Sequence, residues 1–115
     1  MDTFDYVIVG AGAAGCVLAN RLSEDGKATV CVLEAGRDDK HPLIHIPAGF
    51  VKTLYGDRFL WTFQTEPAPG LAGRSIALPQ GKVVGGSSSV NGMVYNRGQR
   101  ADFDVWAQMG NRGWG

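Results

Sequence analysis

The sequence predicts an α/β fold that opens with a parallel βαβ unit, and three observations in its first third carry that prediction. Two short runs rich in β-branched residues, 4–9 and 29–33, have the composition of strands. We expect the first of them to be buried, because it is apolar and ends abruptly at a glycine. Between the runs, Ala14, Leu18 and Leu22 recur at helical spacing with Val17 beside them, and Gly26 is placed to close the helix.

The turn between the first strand and the helix carries the G-x-G-x-x-G pattern, formed by Gly10, Gly12 and Gly15. Each glycine has a separate expected role. Gly10 permits the tight turn, Gly12 lets the backbone approach a pyrophosphate, and Gly15 lets the helix pack close to the strand. The free N–H groups at the start of the helix then face an anion, which the helix dipole also favours.

Glu34 ends the second predicted strand, about 20 residues beyond the glycine turn, where a carboxylate can accept hydrogen bonds from both ribose hydroxyls and disfavours a 2′-phosphate. Taken alone, this residue would be interpreted as a solvated carboxylate at a strand end, and only its spacing from Gly15 reverses that interpretation. Together with the strands, the helix and the turn, it predicts a Rossmann-like unit that binds an adenine dinucleotide.

The stretch 37–79 holds all five prolines and does not repeat the βαβ pattern. We expect a short helix from Pro47 through Leu54, closed by Gly56. A hairpin should follow, with strands 61–65 and 75–78 joined by a turn that contains Gly70 and Gly73.

The two histidines and two cysteines show no spacing typical of a metal or catalytic site. His41 and His45 are expected to be loop side chains, because no acidic or thiol ligand accompanies them in a helical frame. Cys16 and Cys31 are expected to be reduced core residues, since both fall within predicted regular structure. Reduced thiols favour a cytoplasmic protein, with a membrane-associated setting left open.

Composition narrows the class of partner. The 11 basic and 11 acidic residues balance, so no basic excess points to nucleic acid. No apolar stretch is long enough to span a membrane. We expect no secretory signal, because no basic region and no small-residue cleavage site accompany the short apolar run at the first strand. An apolar content of 44% is typical of a soluble globular domain.

The segment 81–98 is rich in glycine and serine at its centre, a composition shared with flexible linkers. Its flanks are apolar enough to be buried, at Val83, Val84 and 90–95. We therefore expect a packed loop that presents N–H and hydroxyl donors to a ligand.

With these motifs the sequence resembles the glucose-methanol-choline oxidoreductase family, and within it the bacterial alcohol and choline dehydrogenase branch. The resemblance covers essentially the whole chain and rests on 10–15, 34–36, 61–67 and above all 81–97, which is similar to the family's first signature. The segment 110–114 resembles the family's next segment, after a helix expected over 101–109 in which Phe103, Trp106 and Met109 share a face.

The resemblance implies that the dinucleotide is FAD. The residues implied to bind it are Gly10, Gly12, Ala13, Ala14, Gly15, Glu34, Ala35, Val84, Ser87, Asn91, Gly92, Met93 and Val94. Among the loop residues, Ser87 and Asn91 are the stronger candidates because polar groups need partners, whereas Val84, Met93 and Val94 are also compatible with core packing. Some relatives attach the flavin through a histidine whose position here is Val90, so non-covalent FAD is expected.

The implied reaction is hydride abstraction from the carbon of an alcohol by the flavin, with a histidine near the C-terminus of family members as general base. Because family members run several hundred residues longer, residues 1–115 are expected to be the N-terminal part of an FAD-binding domain, without its substrate domain. We expect this part to be inactive and marginally stable alone, and we assign it no catalytic or metal-binding residue.

Three other functions stay open at this point. One is a non-catalytic nucleotide-binding fragment or gene remnant, and another is a lyase that uses the cofactor structurally. The third is a nicotinamide-dependent dehydrogenase, which would explain the glycine turn but not 81–97. Choline and other alcohols remain alternatives as substrate, as do dioxygen and other electron acceptors.

Overall fold

The computed structural model describes residues 2–115 and confirms the predicted βαβ unit. Strand β1 (Tyr6–Val9) leads through helix α1 (Ala13–Ser23) to strand β2 (Val30–Leu33). The two strands are parallel, with Tyr6 opposite Val30 and Val9 opposite Leu33. Beyond Ser23 the chain turns through Gly26 at φ +68°, a left-handed conformation that glycine adopts without strain.

Helix α1 packs on the sheet through its smallest residue. Gly15 is buried, and a Cβ on it would overlap the carbonyl oxygen of Gly10 and lie 3.4 Å from Cγ2 of Ile8. The predicted stripe of Ala14, Leu18 and Leu22 is only partly right, since Leu18 is 51% exposed. The close approach of helix and strand centres the buried face on Gly15 instead.

The prediction that the first strand is buried is wrong. Val7 is 58% exposed and Val9 is 85% exposed. Side chains alternate between the faces of a strand. Ile8 points toward α1, so its neighbours Val7 and Val9 lie on the opposite face of this two-stranded sheet.

Both cysteines are free, but the prediction that both lie in the core is wrong for Cys16. Cys16 is exposed, and Cys31 is half-buried. The thiol of Cys16 donates to the carbonyl oxygen of Ala11 at 3.2 Å, so this side chain turns back toward the glycine turn.

A one-turn helix that was not predicted, α2 (Pro42–His45), comes first. The helix predicted from Pro47 to Leu54 follows and is confirmed, as a 3₁₀ turn (Pro47–Gly49) that continues directly into the one-turn helix α3 (Phe50–Thr53). Ile46 separates α2 from the 3₁₀ turn in an extended conformation, as expected for the residue before a proline.

The expectation of a loop histidine holds for His41, which precedes α2, and is wrong for His45. Nδ1 of His41 accepts a hydrogen bond from the backbone N–H of Leu43 at 3.2 Å and so caps α2. His45 lies in the last turn of the same helix.

The predicted hairpin is confirmed as strands β3 (Leu60–Gln64) and β4 (Ala77–Gly81), which pair antiparallel. The return strand runs on to Gly81 and includes Pro79, opposite Thr62. On either side of this pair, three residues away along each strand, lie two hydrogen-bonded pairs: Lys82 N donates to Phe59 O, and Thr65 N donates to Ile76 O. Since hydrogen-bonded pairs alternate along an antiparallel ladder, Pro79 occupies a position where its missing N–H breaks no bond.

The main hydrophobic core lies between this hairpin and the Gly/Ser segment, residues 81–98. It consists of Phe59, Leu60, Val83 and Val90, with Ile44 packed against it. Helix α4 (Arg100–Gln108) begins with a capping box between Gln99 and Asp102, one residue before the predicted start. In the part of the chain that the structure describes, no helix has the length and apolar character needed to cross a membrane.

Candidate dinucleotide-binding site

The N-terminus of α1 is open to an approaching anion. Gly12 is the N-cap residue and supplies no side-chain cap, so the first N–H groups of the helix meet no capping oxygen. A Cβ on Gly12 would have no protein atom within 4 Å. Gly10 has φ +93°, which allows the sharp turn out of β1. The three glycines thus have the conformations and surroundings that their expected roles require, and Ala13 and Ala14 form the exposed start of the helix.

Glu34 lies at the carboxyl end of β2, beside this turn, and both of its carboxylate oxygens accept backbone hydrogen bonds. Oε2 accepts from the N–H of Ala11 at 2.7 Å, and Oε1 accepts from the N–H of Gly36 at 2.7 Å. Each oxygen keeps a further lone pair that a ribose hydroxyl can approach. Ala35 is exposed next to it. The sequence argument missed these internal contacts because no residue spacing predicts them.

The Gly/Ser segment crosses directly over the glycine turn. Gly85 N–H donates to the carbonyl oxygen of Ala11 at 2.6 Å, and Gly86 lies so close that a Cβ on it would be 2.9 Å from Cα of Gly12. One step earlier, Val84 N–H donates to the carbonyl oxygen of Arg37 at 2.9 Å. The segment therefore passes the carboxyl ends of both parallel strands, where ligands bind in open α/β sheets.

The argument that Ser87 and Asn91 need an external partner is wrong, because the loop itself supplies partners. The hydroxyl of Ser87 accepts from Gly81 N at 2.9 Å and donates to Gln80 Oε1 at 3.2 Å. Asn91 Nδ2 donates to the carbonyl oxygen of Ser88 at 3.1 Å, while its Oδ1 accepts from Met93 N at 2.7 Å. Both side chains fold the loop, and their predicted contact with a cofactor stays a prediction.

Three apolar loop residues lie outside the core that forms within residues 2–115. Val84 is 36%, Met93 56% and Val94 87% exposed. Met93 also has φ +54°, which is uncommon for a residue other than glycine. Gly92 lies against the ring of Phe50, and Val90 is buried at 4% exposure. The loop thus buries Val90 and turns an apolar surface outward.

Cavities adjoin several of these residues. A cavity of about 160 Å³ lies between the α2–α3 segment and the loop, with Phe50, Asn91 and Met93 among its lining residues. A larger one of about 480 Å³ opens beside Ala35 and is lined by three cations and one acid, Arg37, Arg58, Lys82 and Asp57. Sequence reasoning missed this basic set, because its members are far apart along the chain and form no local pattern.

Among residues 2–115 the structure places no three histidine, cysteine or acidic side chains together as a metal site would require.

The fold and the glycine turn define this protein as an α/β protein with a Rossmann-like N-terminal βαβ unit. Comparison with known proteins identifies its family: the family model described as GMC oxidoreductase matches residues 4–115. The chain belongs to the GMC oxidoreductase family.

Similar curated proteins include an alcohol dehydrogenase [acceptor] of Pseudomonas putida, 53% identical over 112 residues, which are 97% of this chain and 20% of that protein. An oxygen-dependent choline dehydrogenase of Photobacterium profundum is 48% identical over 97% of this chain and 20% of its own length. The chain spans about a fifth of the length of the curated relatives it matches.

Among solved structures, pyridoxine 4-oxidase from Mesorbium loti superposes with a TM-score of 0.75 at 42% identity, covering 98% of this chain and 22% of that one. A formate oxidase also gives a TM-score of 0.75, at 35% identity over 96% of this chain and 20% of that one. An FAD-dependent oxidoreductase from Chaetomium thermophilum gives 0.66 at 35% identity, covering 97% and 19% of the two chains.

Proposed function

We propose that residues 1–115 belong to the FAD-binding domain of an oxidoreductase that oxidises the CH–OH group of an alcohol. The observation that carries the proposal is the uncapped N-terminus of α1 directly beside the carboxylate of Glu34. The partial positive charge and free N–H groups of the helix N-terminus suit a pyrophosphate, and the neighbouring carboxylate of Glu34 suits a ribose. The similarity to alcohol and choline dehydrogenases supplies the reaction class.

The residues proposed to hold FAD fall into two groups. Around the pyrophosphate and adenosine ribose are Gly10, Gly12, Ala13, Ala14, Gly15, Glu34 and Ala35. Around the rest of the flavin are Val84, Ser87, Asn91, Gly92, Met93 and Val94. The open space over Gly12 supports the first group, since a Cβ there would enter it. The outward-facing apolar surface of Met93 and Val94 supports the second, because it offers a planar ring system an apolar contact.

When bound, FAD would supply hydride acceptance from the alcohol carbon. The chain's own residues would bind and orient it: the turn through its N–H groups, Glu34 through carboxylate oxygens, and the loop through a backbone that Ser87 and Asn91 hold in shape. We assign none of residues 1–115 a proton-transfer role.

We further propose that FAD is held without a covalent bond. Val90, the position at which some relatives carry a histidine, has no nucleophilic atom, and its side chain is packed in the core with Phe59, Leu60 and Val83. The two free cysteines support a reducing compartment, which we take to be the cytoplasm.

The complete product of the gene that encodes this chain tests the proposal. We expect the purified protein to show the visible absorption bands of oxidised flavin and to release all of the flavin into the supernatant on acid precipitation. Anaerobic addition of choline or a panel of primary alcohols should bleach those bands. A colourless product that also fails to bind added FAD would refute the proposal that FAD is the cofactor. Flavin that stays in the acid pellet would refute only the proposal that it is held without a covalent bond.

A further inference from the structure

Glu34 has a second role besides meeting a ribose: we infer that it is a positioning residue that holds the glycine turn in its binding shape before any dinucleotide arrives. Its two carboxylate oxygens reach two different chain segments, the turn after β1 through Ala11 N and the exit from β2 through Gly36 N, each at 2.7 Å. Ala11 is 6% exposed, so its N–H has little access to water as a substitute partner.

The carboxylate is the only acceptor that residues 2–115 provide for these two N–H groups. The first is the N–H of the residue between Gly10 and Gly12. Loss of the acceptor at Oε2 would leave a nearly buried donor unsatisfied at the centre of the turn. Reorienting that peptide toward water would then lower the free energy of the turn.

The next peptide of the turn is held from the other side. The carbonyl oxygen of Ala11 accepts from Gly85 N at 2.6 Å. Because a trans peptide is planar, a carbonyl that points to Gly85 forces the N–H of Gly12 to point the opposite way. Glu34 and Gly85 therefore hold two successive peptide planes of the turn, and these planes set where the N–H groups at the start of α1 point.

The geometry at Gly36 extends the same arrangement. A Cβ on Gly36 would overlap the backbone of Lys82, so the exit of β2 packs tightly against the start of the Gly/Ser segment. Glu34 thus joins the turn to the exit of β2, and this exit in turn packs against the crossing segment through Gly36. We expect its removal to loosen all three in the absence of any ligand.

The first test needs no dinucleotide and is independent of the proposed function. Amide hydrogen exchange is measured on the complete gene product, freed of bound nucleotide, for peptides that contain Ala11 and Gly36. In Glu34→Gln, one side-chain oxygen becomes an NH₂ donor that faces a backbone donor, so one of the two hydrogen bonds is lost. We expect at least a tenfold faster exchange in one or both peptides, since the lost bond is part-buried.

Glu24→Gln is the matched control. Glu24 is an exposed carboxylate that pairs with Arg21 at 3.0 Å on the far end of α1. This variant should leave both peptides at the wild-type exchange rate. Equal protection in wild type and Glu34→Gln would overturn the inference.

The second test separates positioning from ribose contact and rests on the proposed function. Affinities for ADP and for 2′,3′-dideoxy-ADP, which lacks both ribose hydroxyls, are compared by calorimetry. If Glu34 acted only on the ribose, the dideoxy ligand would bind wild type and Glu34→Gln equally well. We expect the variant to bind the dideoxy ligand several-fold to about tenfold more weakly, in proportion to one lost hydrogen bond.

The sign of this result is informative because charge alone predicts the opposite. Glu34→Gln removes a negative charge beside the diphosphate, which by itself would tighten binding. Weaker binding of the dideoxy ligand therefore reports a displaced turn, and unchanged or tighter binding would count against the inference. If wild type binds neither ligand, the dinucleotide function fails, and the exchange measurement still decides the inference.

Discussion

Asp5 and Thr29 join the entrances of the two parallel strands through a reciprocal set of hydrogen bonds. Asp5 Oδ2 accepts from the backbone N–H and the hydroxyl of Thr29, both at 2.8 Å. In return, Asp5 N donates to the Thr29 carbonyl oxygen at 3.0 Å and to its hydroxyl oxygen at 3.1 Å. This contact lies at the opposite end of the sheet from Glu34, so the parallel pair is held at both ends by a carboxylate.

The first prediction concerns acid stability. The backbone and side-chain hydrogen bonds from Thr29 lower the pKa of Asp5 below its ordinary value of 3.8. A carboxylate with a lowered folded-state pKa stabilises the fold fully above its unfolded value, and this stabilisation disappears as pH falls from about 3.8 through the folded value. Asp5→Asn should therefore flatten the loss of unfolding free energy below pH 4, as measured by urea denaturation.

The exposed Asp104 on α4 provides the control for this series. Asp104→Asn should leave the acid slope close to that of wild type. A slope in Asp5→Asn that matches wild type would show that the Thr29 contact does not contribute.

The second prediction contrasts two glycines of the same motif. A Cβ on Gly12 enters open space, whereas a Cβ on Gly15 overlaps the carbonyl oxygen of Gly10. Gly12→Ala should thus leave the melting temperature near wild type and weaken ADP binding, because the methyl group occupies the approach to the helix N-terminus. Gly15→Ala should cost about 1–3 kcal/mol of unfolding free energy, since helix and strand must separate. Equal melting temperatures for the two variants would contradict this division of roles.

The third prediction tests where the core lies. Val83 is fully buried beside Phe59 and Leu60, while Val94 is 87% exposed although both belong to the Gly/Ser segment. Val83→Ala should lower the free energy of unfolding by about 2 kcal/mol. This cost is the lost burial of two methyl groups together with the small cavity that they leave. Val94→Ala should change stability by less than about 0.5 kcal/mol. Chemical denaturation of both variants checks the pair, and a Val94→Ala effect as large as that of Val83→Ala would contradict it.

The fourth prediction concerns the aromatic cluster at the end of α4. Trp114 stacks on Phe103 with ring centroids 6.1 Å apart and meets Trp106 edge to face at 4.9 Å. Trp114→Ala removes both aromatic pairs, each of which is expected to stabilise the fold by about 0.5–1.5 kcal/mol. Amide exchange of peptides from α4 should become faster, and near-ultraviolet circular dichroism should weaken. Tyr95→Ala, at a side chain 87% exposed, should leave α4 exchange unchanged.

Local regularity accounts for the elements that could be predicted. β1, α1 and β2 follow from short-range composition and periodicity, and the hairpin from two strand-like runs around a glycine turn. The extension of β4 through Pro79 escaped prediction because a proline argues against a strand unless its pairing register is known. The extended conformation of Ile46, which separates α2 from the predicted helix, follows from a local rule, the restriction on the residue before a proline.

Burial was predicted less well than secondary structure. Val9 reads as a core residue of a strand, and Val94 as a core residue of a loop, yet both are largely exposed. A side chain is buried only if another element covers it, and the residue's own hydrophobicity does not say which element that is. Val83 and Val90 are buried because the hairpin and α2 happen to meet at them.

By itself, the sequence determined the βαβ unit, the glycine turn with its three conformational roles, and the presence of a carboxylate at the end of β2, because each is encoded by neighbouring residues. Only the tertiary structure decided that Glu34 binds Ala11 and Gly36, and that Gly85 and Gly86 cross the same turn. These contacts join residues that are distant along the chain through backbone atoms. Backbone N–H and C=O groups are nearly identical in every residue, so no pattern of side chains specifies which of them will meet.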